Sequence, residues 1–399
     1  MAEGLTSPLV FAALVTAVLC FLVAMRDLSP VVALLLATLR SGAALVYFAW
    51  LYNPRWTFLD DISYWHQGRT MLASGYGPVE ALFSADGLTR YFVLAQGVHF
   101  LYIWWCHLAQ SLFGPHYYAP VFLNITVTFV AGAALYRLAR RGGMSEGYAR
   151  GLLVFSLLHW DLLIWSSLIN LKDLLVLALT VAGILAYAGI VDRGASRRRR
   201  IASWAGLVII MLVLPWIRFY LPVLLLLSFA AWALLRAGGW QKLGIAALAL
   251  LGVAYVITRY TIPAGLVTLS PVAIVGGSIR FLLTPQPWSI ESAYSFLTVP
   301  AIMHWLLVVP ATFGAIMLWR SSPAGVLAIL FLLVNTAFYA AVPELQGPRQ
   351  RIQVSFVILW AQFHALHVTL SYLLERRSRW RSERGSTRMS AAAVAGVTS

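Results

Sequence analysis

Apolar segments of roughly 17–23 residues, the length that crosses a hydrocarbon core of about 30 Å, recur about eleven times along this chain. They lie near 8–25, 30–52, 117–139, 148–167, 172–192, 201–217, 219–236, 241–259, 300–319, 324–342 and 353–374. Lipid offers backbone groups no hydrogen-bond partner, so such segments must satisfy their own backbone as helices. The pattern predicts an all-α polytopic membrane protein. Charge agrees: Asp, Glu, Lys and Arg make up 11% of the residues against 61% hydrophobic, whereas a water-soluble domain carries roughly 25% charged residues. The first segment lacks a basic leader and runs into Arg26-Asp27 rather than a small-residue cleavage site. It is expected to stay in the mature protein.

Alternating the loops collects the arginines on one side. That side receives 19 basic residues, among them Arg137, Arg140, Arg141, Arg150, Arg193, Arg197 to Arg200 and the tail, against five acids. The opposite side receives nine bases and eight acids, with Arg40 and Asp161 inside spans. By the positive-inside rule the first side is expected to be cytoplasmic, and the excess charge needs no nucleic acid to explain it. The segment 91–113 is apolar enough to span, yet crossing would invert this distribution. Its Gln96, His99, His107 and Gln110, set among Tyr102, Trp104 and Trp105, predict a juxtamembrane helix in the outer interface.

One integral domain is expected over 1–375, with a disordered, basic cytoplasmic tail at 376–399. The outer loops 53–116 and 260–299 are its largest polar regions. Cys20 and Cys106 fall in different environments, and neither a disulfide framework nor a zinc spacing is present. Nor does the chain carry a phosphate-binding glycine loop or a Gly-x-Ser-x-Gly elbow.

What remains is carboxylate chemistry at a membrane face. Asp60 and Asp61 stand together just after a span in a chain with only 14 acids. Such a pair can take a proton from an attacking hydroxyl, bind a divalent cation, or cap the following helix. Beyond them come an aromatic helix ending Leu112-Phe113-Gly114, two further spans, and the outer turn Asn170-Leu171-Lys172-Asp173. This order resembles the GT-C superfamily of polytopic glycosyltransferases, which use polyprenyl-phosphate-linked sugars and include the protein O-mannosyltransferases and the aminoarabinose transferases of lipid A. The resemblance covers about residues 30–260 in order and spacing, plus Arg349 and Arg351 before the last span. It implies a GT-C-like bundle of about 11 transmembrane helices with outer-face juxtamembrane helices. It further implies that Asp60 or Asp61 is the general base on the acceptor hydroxyl, and that Asp173 helps orient acceptor or metal. The sequence departs from the family in having Thr89-Arg90-Tyr91-Phe92 where a His-Pro-Pro-Leu-like stretch is usual, and in lacking the large soluble C-terminal domain of some members.

Sugar transfer from a lipid phosphate builds negative charge on the departing phosphate, which fixed cations must meet. The candidates are Arg90, Lys172, Arg218, Arg280, Arg349 and Arg351, arginine being suited by its planar, permanently charged fork. For each, the alternative is a side chain snorkelling to lipid headgroups. The requirement for a divalent ion, Mg or Mn, is left open, with Asp60, Asp61, Asp173 and His66 as candidate ligands. The expected partners are the polyprenyl-phosphate sugar donor, a glycan, lipid or protein acceptor, and membrane lipids. Two other functions share this composition: a polymerase of lipid-linked polysaccharide repeat units, and a lipid or glycan flippase or transporter, which would carry broken helices and charges around a midplane cavity. Arg40 and Asp161, both within spans, are expected to pair, because an unpaired charge there is costly.

The sidedness is open to direct test. With Cys20 and Cys106 replaced, Ser74→Cys is expected to react with an impermeant maleimide in intact cells, and Ser378→Cys only after the cells are opened. The reverse labelling would overturn the assignment.

Overall fold

The computed structural model describes residues 4–96, 99–237, 241–242, 244–246, 270–342 and 346–395, with side chains as far as Arg377. The described residues form an all-α protein. Two antiparallel helices, α1 (Ser7–Ala24) and α2 (Pro30–Val46), open the chain, and α2 runs on through a wider turn at Tyr47–Leu51. Four short helices follow: α3 (Asp60–Ala73), α4 (Pro78–Phe83), α5 (Ala85–Leu94) and α6 (Phe100–Phe113). Then come α7 (Tyr118–Arg141), α8 (Glu146–Leu158), α9 (Trp160–Ser167), α10 (Asp173–Val191), α11 (Arg197–Val213) and α12 (Leu221–Arg236). The remainder is α13 (Pro271–Leu283), α14 (Thr298–Leu306), α15 (Val308–Ser321), α16 (Pro323–Ala341) and α17 (Ser355–Ala395).

Seven described helices are long and apolar enough to cross a membrane, or up to eight if the pair from Ser292 to Ser321, bent by 56°, is one span. The eleven expected spans are therefore only partly matched. Segment 148–167 is broken: His159 leaves helical geometry at φ −63°, ψ 128°, and separates α8 from α9. Segment 219–236 forms a helix of 16 residues, and 241–259 lies almost wholly outside the described residues. The helix α7 is the central post, with 89% of its apolar window buried, whereas α11, at 22%, lies at the rim.

The segment 91–113 is not one helix. It breaks after Leu94 and resumes at Phe100 as the 14-residue α6, about 21 Å long at 1.5 Å per residue and too short to cross. Its buried Tyr102, Cys106 and Ala109 face α3 and α7. Cys20 and Cys106 are both free and buried. The helix α17 runs on to Ala395; residues 376–395 contain no proline and are rich in Arg and Ala, which favour helix.

The expected Arg40–Asp161 pair does not form. Arg40 donates to the Leu162 carbonyl at 3.0 Å and to the Ser166 hydroxyl, while Asp161 meets Arg351 at 3.1 Å. The break at His159 explains this. Leu162 and Ser166 stand one turn apart on one face of α9, and Asp161 is rotated from them by about 100–140°. It lies in the first turn of α9, where a carboxylate is favoured by the helix dipole.

Close packing fixes the last helices against each other. A Cβ added at Gly314 in α15 would sit 1.9 Å from the Ala361 carbonyl oxygen of α17, whereas one at Gly206 in α11 would meet nothing within 4 Å. Gly314→Ala is expected to destabilise the purified protein by about 1–3 kcal/mol. Gly206→Ala should be neutral or slightly stabilising, since alanine is the better helix former. Equal unfolding temperatures for the two variants would refute this close approach.

Candidate functional site

The acidic pair sits on a sharp bend. Leu59 has φ 64°, ψ −45°, a conformation that costs a bulky residue of order 1–3 kcal/mol and needs support from its surroundings. Asp61 supplies much of that support. Its Oδ1 accepts from the Thr57 hydroxyl at 2.7 Å and from the Phe58 amide at 2.9 Å, while Thr57 Oγ1 in turn accepts from the Leu59 amide. Its Oδ2 accepts from the Tyr117 hydroxyl at 2.5 Å, and its backbone carbonyl accepts from the Asn170 side chain at 3.0 Å. Asp61 is fully buried. Rather than capping α3, it ties the bend to the entrance of α7 and to the turn before α10.

Asp60 has a different environment. Its side chain is 41% exposed and its Oδ2 meets Arg349 Nη1 at 2.5 Å. Beside this pair lies a buried polar cluster. Asp173, in the first turn of α10, is paired with Arg218 from the turn between α11 and α12. Arg218 also donates to the Tyr220 hydroxyl at 2.7 Å, and Tyr220 shares a hydrogen bond with Tyr339 of α16 at 2.7 Å. With its amide turned so that the oxygen faces the guanidinium, Gln353 accepts from Arg218 Nε at 3.2 Å. Lys172 Nζ donates to the Tyr64 hydroxyl at 2.7 Å.

Two carboxylates, Asp60 and Asp173, thus stand against three cations, Lys172, Arg218 and Arg349, all close enough to act on one another electrostatically. Burial and then Arg218 push the Lys172 amine well below its ordinary value. Burial also opposes the charge on Arg218, but Asp173, Tyr220 and Tyr339 outweigh it and hold this pKa well above the usual one. Arg218 is therefore a fixed cation, and Lys172 the one that most readily gives up its proton. Burial, followed by Lys172 and Arg218, lowers His99 beside them to about 4, so its imidazole is neutral near pH 7.

The other candidates fall elsewhere. Arg90 pairs with Asp86 one turn away at 2.8 Å, and both side chains are half-exposed. Arg280 meets Gln346. His66 is exposed and packs its ring on Trp65, with centroids 4.4 Å apart. Arg351 is turned away from Arg349 to Asp161, because residues two apart in the tight Pro348–Val354 helix point in widely different directions. Among the described residues no three His, Cys, Asp or Glu side chains converge as metal ligands. The donor set of Asp60, Asp61, Asp173 and His66 does not fit a Mg or Mn site: the carboxylates are engaged by Arg349, by neutral donors and by Arg218, and His66 stands apart.

Tyr64, Tyr220, Tyr339 and Gln353 also belong to the cluster, although the sequence pattern does not point to them. Tyr64 alone had a local signal, since it lies four residues after Asp60 and thus on the same helical face. Because three donors converge on Asp61, Asp61→Asn is expected to destabilise the fold by about 1–3 kcal/mol. Asp60→Asn, which loses only a partly exposed ion pair, should cost no more than about 1 kcal/mol. Thermal unfolding of both purified variants checks this order.

What the described residues establish is an all-α protein with several long apolar helices, the architecture of a polytopic membrane protein. Comparison of the chain with protein-family models, with curated proteins and with solved structures finds no match in any of the three.

Proposed function

We propose that this chain is a glycosyltransferase that moves a sugar from a polyprenyl-phosphate-linked donor to a glycan, lipid or protein acceptor at the outer face of the membrane. The observation that carries this reading is a partly exposed carboxylate, Asp60, held by Arg349 beside the buried, permanently charged Arg218. Asp60 takes the proton of the acceptor hydroxyl as that oxygen bonds to the anomeric carbon. The bond from that carbon to the lipid phosphate breaks, and the phosphate leaves with the electron pair. Arg349, and behind it Arg218, meet the charge that develops there, and Lys172 is a further hydrogen-bond donor beside them. Asp61 holds the bend that presents Asp60 and takes no proton. Arg90 and Arg280 have no role in this scheme.

A second reading, transport of a lipid or glycan, is favoured by the break at His159 and by the buried charges around it. Arg40, Asp161 and Arg351 are each less than 5% exposed, and broken helices beside buried charges are features of transporters.

Transfer of a labelled sugar from polyprenyl phosphate by the purified protein separates the two. Asp60→Asn is expected to slow transfer by roughly a hundredfold or more, the usual loss for a general base, at unchanged folded yield. Undiminished transfer in that variant would remove Asp60 from the chemistry. Absence of transfer, with movement of lipid-linked sugar across vesicles that fails in Asp161→Asn, would favour transport.

A further inference from the structure

Four helices link the Asp60 cluster to the arginine-rich face. Tyr117 precedes α7, Asp173 begins α10, Tyr220 precedes α12 and Tyr339 lies near the end of α16, and all four residues belong to the hydrogen-bonded groups around Asp60 and Asp61. The opposite ends of the same helices, roughly 24–36 Å away at 1.5 Å per residue, surround a cavity of about 300 Å³. Arg141 closes α7, Arg193 follows α10, Arg236 closes α12, and Ala324 and Leu327 belong to the first turns of α16.

The cavity has an apolar floor and a cationic rim. Trp232, Ala324 and Leu327 are at most 9% exposed, whereas the three arginines are exposed. Three arginines thus share this rim with a single carboxylate, Asp192, which acts electrostatically on Arg141. Arg141 donates to the Leu185 carbonyl at 2.6 Å, and Arg236 lies over the Trp232 ring at 4.4 Å. Among the described residues no carboxylate lies within ion-pair distance of any of the three. Asp192 also lines the cavity and accepts from the Gly194 amide at 2.9 Å, so the three arginines leave the lining with a net positive charge. Gly189 makes room for this arrangement, since a Cβ there would lie 2.6 Å from Arg141 Nη1. The positive-inside tendency places arginines in loops but does not gather them from three elements around one apolar floor.

We propose that this cavity binds the phosphate of an anionic phospholipid in the adjoining leaflet. The guanidinium rim holds the phosphate oxygens, and the floor takes the apolar body of the lipid beneath them. Free phosphate shares the anionic chemistry but leaves the apolar floor unused.

The test uses the full chain in neutral detergent, with short-chain phosphatidylglycerol, phosphatidylcholine and inorganic phosphate as probes in calorimetric titrations. Phosphatidylglycerol is expected to bind more tightly than either of the others, and to weaken by roughly fivefold for each arginine removed, about the effect of one basic residue at an anionic surface. Arg193→Gln with Arg236→Gln keeps the Arg141–Leu185 bond, so this double variant tests the site even if Arg141→Gln fails to fold. Arg376→Gln with Arg377→Gln removes the same charge elsewhere and should leave binding unchanged. Equal affinity for phosphatidylglycerol and phosphatidylcholine, undiminished binding in the double variant at the cavity, or an equal loss in the tail variant would overturn the proposal. Displacement of the lipid by an equal concentration of inorganic phosphate would overturn its lipid source.

Discussion

The Asp61 carboxylate is the joint on which the candidate site depends. Burying an ionised carboxyl is tolerable only when its oxygens accept hydrogen bonds, and those of Asp61 accept from Thr57, Phe58 and Tyr117. These bonds hold Leu59 in an unfavourable conformation, and that bend directs Asp60 away from the core. One acid is thereby spent on structure so that its neighbour stays partly exposed. The Asn170 side chain, which donates to the Asp61 carbonyl, ties the same joint to the turn that carries Lys172 and Asp173.

A second constraint is the cost of charge in a low-dielectric interior. Each deeply buried acid in the described bundle meets a cation or a set of donors: Asp173 has Arg218, Asp161 has Arg351 and Asp61 has its three donors. Removing one partner from such a pair strands the other, so these pairs also couple distant helices. Arg218 shows this most clearly, since it joins α10 to the entrance of α12 and, through Tyr220, to α16. The same polar groups that support the proposed chemistry therefore brace the helices at that face.

Much of the helical plan could be read in advance, because hydropathy is a property of contiguous residues. The expected segments 30–52, 172–192 and 324–342 correspond to helical stretches 30–51, 173–191 and 323–341. The break at His159 is hidden in the sequence because the apolar run continues through it, although Asp161 two residues later is compatible with the start of a new helix. Within the site, the separation of Asp60 from Asp61 was not legible. Two identical neighbouring side chains differ only in what the tertiary structure places around them. For Arg349 and Arg351 the reason is geometric, since the tight turn between Pro348 and Val354 sends them to different acids.

By itself the sequence determined the medium and the secondary-structure class: runs of apolar residues that long must satisfy their backbone within helices and bury their side chains in lipid or against each other. It also narrowed the polar residues to a short set that included Asp60, Asp173, Lys172, Arg218 and Arg349. Only the tertiary structure decided their pairings. Asp173 and Arg218 are 45 residues apart, Asp161 and Arg351 are 190 apart, and Asp60 and Arg349 are 289 apart. No local periodicity carries information over such distances; the pairings follow from which helix ends the packed bundle brings to the same face and from how each helix is rotated there.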